Sequence, residues 1–95
     1  MQRPLADEYQ PNYQKYFDLI ASGDYLDLVR QNSTDTPAFF DKLPEEKLDY
    51  RYAAGKWTIK DVLMHIIDTE RVFCYRGLVA ARGDDITVHH RMDEE

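Results

Sequence analysis

The chain has 95 residues, which sets a limit of one small domain. Hydrophobic residues make up 43% and charged residues 32%, a composition that excludes disordered and membrane-embedded classes. Twelve Lys and Arg against 18 Asp and Glu leave a formal charge of -6, which argues against a nucleic-acid backbone or an anionic membrane as partner.

The single cysteine, Cys74, rules out an intrachain disulfide framework and a cysteine-cluster zinc site. No apolar run approaches the roughly 20 residues that span a bilayer. No charged-then-apolar leader opens the sequence, so the expected compartment is a reducing cytoplasm.

Residues 1 to 22 read as an arm with one short helix. Tyr13, Tyr16, Phe17 and Ile20 follow Pro11 at i, i+3, i+4 and i+7, on one face, and Gly23 stops the pattern. A helix this short must lie against something larger.

The first long helix is predicted over residues 24 to 43, with Asp24 as N-cap. Tyr25, Leu28, Val29, Asn32, Thr36, Phe39, Phe40 and Leu43 follow the 3.6-residue period. Pro37 removes the bond to the Ser33 carbonyl, so a kink or loosened turn is expected there. Alternatively, Ser33 and Thr34 cap a restarted helix with Pro37 in its first turn.

Residues 44 to 57 form a connection with Pro44 and Gly55 at its turns, and its Leu48, Tyr50, Tyr52 and Trp57 imply packing over a bundle end or seam. The second long helix is predicted over residues 58 to 82. Thr58 and Asp61 have capping-box spacing, and Gly83 is the stop signal. Its apolar stripe runs through Ile59, Val62, Leu63, Ile66, Ile67, Phe73, Cys74, Gly77, Leu78 and Ala81. Residues 83 to 95 show no helical period, end acidic and read as a tail, with Ile86 and Val88 available for one local contact.

Two antiparallel helices bury only the seam between them. This stripe is wider than such a seam, and each side chain left wet forgoes roughly 1.5–3 kcal/mol. The expected architecture is therefore all-α: an antiparallel helical hairpin that completes a four-helix bundle by homodimerisation. The competing solution is a monomer whose aromatic arm closes the open face.

The stretch Leu48 to Arg76, with Gly55-Lys56-Trp57-Thr58 and His65 followed by Glu70-Arg71, resembles the DinB-like superfamily, which includes the YfiT-like metal-dependent hydrolases. Arg3-Pro4 and Gly23-Asp24 fit the same pattern, so the resemblance covers roughly residues 3 to 84. It implies a four-helix bundle and a divalent metal, Zn or Ni, held by three histidines. His65 occupies the first of those positions. The other two come from a late helix as a His-x-x-x-His pair, which has no counterpart at helical spacing here. The resemblance thus extends to the front half of such a domain, and a second copy would replace the missing helices.

His65 lies on a flank of the helix near Asp61, Asp68 and Thr69, and Asp61 or Asp68 is placed to orient its second ring nitrogen. One histidine is not a zinc site, and a hydrogen-bonded cleft histidine is the simpler reading. Glu70 falls in the middle of the apolar stripe, where a carboxylate needs a partner. Arg51, Arg71 or a second copy would pair with it; the functional alternative is a ligand or general base. Cys74 reads as inert buried packing. His89 and His90 read as solvated tail residues, unless a swapped tail carries one to a partner's His65. No Gly-rich phosphate loop, HExxH or serine elbow is present.

The expectation is thus a DinB-like bundle protein with an incomplete metal site at His65 and no assigned catalytic residue. Two rivals stand beside it. One is a divalent-metal-dependent hydrolase or thiol S-transferase acting on a small molecule, its site completed across a dimer. The other is a helical interaction module.

Overall fold

A computed structural model describes residues 2–92. Every regular element among them is helical. The chain divides into two units, one ending at Leu43 and the other beginning at Pro44. The acidic end of the tail, residues 93–95, lies outside the described residues.

In the first unit a 3-10 turn, Pro11–Tyr13, leads into α1, Gln14–Phe17. The Arg3 guanidinium reaches forward to this segment and donates to the carbonyls of Phe17, Ile20 and Ala21. Phe17 ends α1, and Ile20 and Ala21 lie in the segment that follows it. Tyr9 packs its ring 4.6 Å from that of Phe17, and both are half-buried. Tyr13 and Tyr16, expected on the covered face, are exposed. The helix ends after one turn, too early for a continuous stripe from Tyr13 to Ile20 to form.

α2 spans Tyr25–Asp41. Asp24 caps it by accepting from the backbone N–H groups of Leu26 (2.9 Å) and Asp27 (3.3 Å). The helix runs through Pro37 without a restart. Ser33 and Thr34 do not cap a new segment; their hydroxyls turn back onto the carbonyls of Val29 (2.8 Å) and Arg30 (3.5 Å). Such back-bonding keeps a hydroxyl inside the helix instead of ending it. Leu28, Thr36 and Phe40 are its half-buried positions.

In the second unit a 3-10 turn, Glu45–Lys47, opens the connection. The segment then runs beside the start of α3, Ile59–Ala81. Lys60 N–H donates to the Leu48 carbonyl (3.1 Å), and the Lys60 ammonium pairs with Asp49 at 3.0 Å. Arg51 donates to the Lys56 carbonyl and lies 3.7 Å from Asp61. These local bonds hold the aromatic connection against the first turn of α3.

A complete capping box opens α3. The Thr58 hydroxyl accepts from Asp61 N–H at 3.0 Å, and the Asp61 carboxylate accepts from Thr58 N–H at 2.8 Å. Thr58 is only 7% exposed, the one buried residue among those described. The far end closes with a Schellman turn: Gly83 N–H donates to Ala80 (2.9 Å) and Asp84 N–H to Val79 (3.3 Å). Gly83 sits at φ +71°, a left-handed conformation that costs a side-chain-bearing residue about 1–2 kcal/mol.

Beyond Gly83 the chain turns back along α3. Asp84 accepts from the N–H groups of Ile86 and Thr87, both at 2.9 Å, and from the Thr87 hydroxyl at 2.6 Å. Ile86 and Val88 take no part in packing; they are 86% and 76% exposed. At His89 and His90 the chain meets the helix again. The His89 ring meets Tyr75 edge-on at 6.0 Å, and Arg76 donates to the His90 carbonyl at 2.6 Å.

Among the described residues no apolar side chain is buried. Val62, Ile66, Phe73 and Leu78 on α3 remain exposed, as do Tyr25, Leu26, Val29 and Phe39 on α2. No helix among the described residues is long and apolar enough to cross a membrane.

Candidate functional site

His65 belongs to a run at i, i+4, i+7 and i+11 on α3: His65, Thr69, Val72 and Arg76. At about 100° per residue these share one face, set apart from the apolar stripe centred on Glu70. All four are half-buried, while Glu70 is exposed. Two flanking segments cover this face. From the connection, Trp57 stacks obliquely on the His65 ring, centroids 5.0 Å apart and planes at 56°. From the tail, Arg91 and Met92 come to the side of Thr69 and Arg76, leaving a shallow groove of about 190 Å³ floored by α3.

The polar groups on this groove are the His65 imidazole, the Thr69 hydroxyl and the guanidiniums of Arg76 and Arg91. Val72, Phe73 and Met92 give it apolar walls. Thr69 Oγ1 lies 3.5 Å from His65 Nε2, a polar approach at the outer limit of hydrogen bonding. Arg76 is held from two sides, by its bond to His90 and by lying over the Phe73 ring at 5.5 Å.

The carboxylates expected beside His65 are engaged elsewhere. Asp61 is committed to the capping box, where hydrogen bonds from the Thr58 N–H and hydroxyl, aided by the nearby Arg51 charge, hold its carboxyl below the ordinary range. Asp68 pairs with Arg71 at 3.5 Å. Glu70 gains no partner among the described residues, because Arg51 and Arg71 are taken by Asp61 and Asp68. Cys74, read from sequence as buried packing, is exposed, since the stripe it sits on is uncovered.

His89 and His90 are both exposed, as expected, yet the tail that carries them returns to α3. The first meets Tyr75 and the second anchors through its backbone, so neither imidazole joins His65. Asp84, which holds the turn before them, has its carboxyl lowered by the hydrogen bonds from the Thr87 hydroxyl and N–H and from Ile86 N–H, and slightly by His89.

Among the described residues no three His, Cys, Asp or Glu side chains converge to hold a metal ion. Besides His65, the polar residues lining the groove are Thr69, Arg76 and Arg91. Guanidiniums only donate and repel a divalent cation. Among the described residues of this unit the donor set does not fit a divalent metal.

Sequence reasoning placed His65 and Thr69 together but missed Arg76, Arg91 and Met92. The spacing from His65 to Arg76 was readable on the helix wheel; the return of the tail was not. Against known proteins, the family model described as the DinB superfamily matches residues 28–94, well over half of the chain. No curated protein and no solved structure matches.

Proposed function

Because this chain belongs to the DinB superfamily, we propose that it acts as a helical assembly unit. In this reading α2 and α3 form an antiparallel hairpin, and two copies close a four-helix bundle. His65 is then one donor of the family's three-histidine arrangement. The observation that carries the reading is the absence of any buried apolar side chain among the described residues.

A partner copy offers the same apolar stripes and satisfies closed two-fold symmetry.

Sedimentation equilibrium over a concentration series tests this directly. A dimer that dissociates and loses helicity together on dilution is the expected result. A compact monomer that melts cooperatively at micromolar concentration would overturn it. Elemental analysis of tag-free protein addresses His65: stoichiometric zinc or nickel, lost on His65→Ala, would replace the assembly reading with a metal-dependent hydrolase or thiol S-transferase completed across the dimer.

A further inference from the structure

We infer that the groove between α3 and the returning tail is a binding site for a small organic carboxylate. The argument rests on what converges there. Four residues whose side chains can donate line one concavity: His65, Thr69, Arg76 and Arg91. No carboxylate lines it among the described residues, although the whole chain carries a charge of -6.

Among the described residues the two guanidiniums have no acidic counterpart in the groove, which leaves a local positive potential that an anion relieves. Arg91 makes no hydrogen bond or ion pair among the described residues, so its planar donor fork is available for a carboxylate. Arg76 spends one N–H on the His90 carbonyl and keeps its remaining donors. That same bond fixes the tail, so the two arginines are positioned together.

The apolar walls decide the class of anion. Phe73 and Met92 stand beside the arginines and offer nothing to a fully hydrated ion such as phosphate. A carboxylate with a short aliphatic or aromatic body uses both halves: its head takes the guanidiniums and Thr69, and its body lies on Phe73 and Met92. The lining residues all lie between residues 65 and 92 of one chain.

The test is a titration of the full-length chain with hexanoate, acetate and inorganic phosphate at fixed ionic strength, followed by amide and arginine side-chain NMR shifts. Hexanoate should saturate shifts at Thr69, Arg76 and Arg91 in the millimolar range and bind about tenfold more tightly than acetate or phosphate. Arg91→Gln should weaken hexanoate about tenfold, and Phe73→Ala should erase its advantage over acetate. Arg91→Lys, which keeps the charge but loses the fork, should fall between Arg91→Gln and the wild type. Unchanged Tyr75 and His89 ring shifts in both Arg91 variants show that the tail stays in place. No saturable shift by about 50 mM, equal affinity for phosphate and hexanoate, or affinity indifferent to Arg91→Gln would overturn the assignment.

Discussion

The start of α3 depends on two reciprocal hydrogen bonds, and removing one of them has a calculable consequence. In Thr58→Ala the Asp61 N–H loses its 3.0 Å acceptor. The site is almost closed to water, with Thr58 7% exposed, so solvent replaces the lost hydroxyl poorly. N-cap truncations cost about 1 kcal/mol, within a range of roughly 0.5–2, and the closed setting places this one in the upper half. For a chain of this size each kcal/mol corresponds to a fall in Tm of about 4–8 °C. Thr58→Ser keeps the oxygen and should stay close to wild type. Thr58→Val keeps the shape without the hydroxyl and should match the alanine variant. Urea unfolding followed by far-UV circular dichroism measures all three. A Thr58→Ala loss below about 0.3 kcal/mol, or a serine variant as weak as valine, would refute the claim that the hydroxyl sets the helix start.

Further outcomes follow from the same geometry. Asp61 is lowered by its bonds from Thr58, so its contribution is fully present above the ordinary carboxylate range and is lost as pH falls through its lowered value; acid unfolding should begin later in wild type than in Asp61→Asn. Gly77→Ala, whose new methyl group meets nothing within 4 Å, should stabilise α3 by about 0.5–1 kcal/mol, while Gly83→Ala at φ +71° should destabilise by about 1 kcal/mol, both read by thermal melts. Asp84→Ala should release the tail, seen as a collapse of the Tyr75 and His89 ring shifts toward free values with α3 helicity unchanged.

Much of the fold was legible because its signals are local. Asp24, Thr58 with Asp61, and Gly83 act within four residues of themselves, so spacing alone located both long helices and their ends. The restart offered as the alternative at Pro37 does not occur, because Ser33 bonds backward instead of capping forward. The site was half legible for the same reason. His65 and Thr69 lie one turn apart on one helix, whereas Arg91 reaches them only because Asp84 bends the chain and Arg76 grips the His90 carbonyl fourteen residues away. No period in residues 84 to 92 announces that return.

Glu70 offers the sharpest test of where a second copy packs. It stands at the centre of the apolar stripe, flanked by Ile66, Ile67, Phe73 and Cys74, and it is exposed without a partner among the described residues. Were the stripe to become an interface, each copy would carry this carboxylate into apolar surroundings, where an unpaired charge opposes association. Neither arginine expected to pair with it does so, since Arg51 serves Asp61 and Lys56 while Arg71 serves Asp68. Glu70→Gln keeps the shape and removes the charge, so the dimer dissociation constant should fall about tenfold or more. Weakened association would mean that a cation of the partner meets Glu70 across the interface. An unchanged constant would show that the stripe around Glu70 is not the surface on which the copies meet, and the bundle would have to be rebuilt on another face.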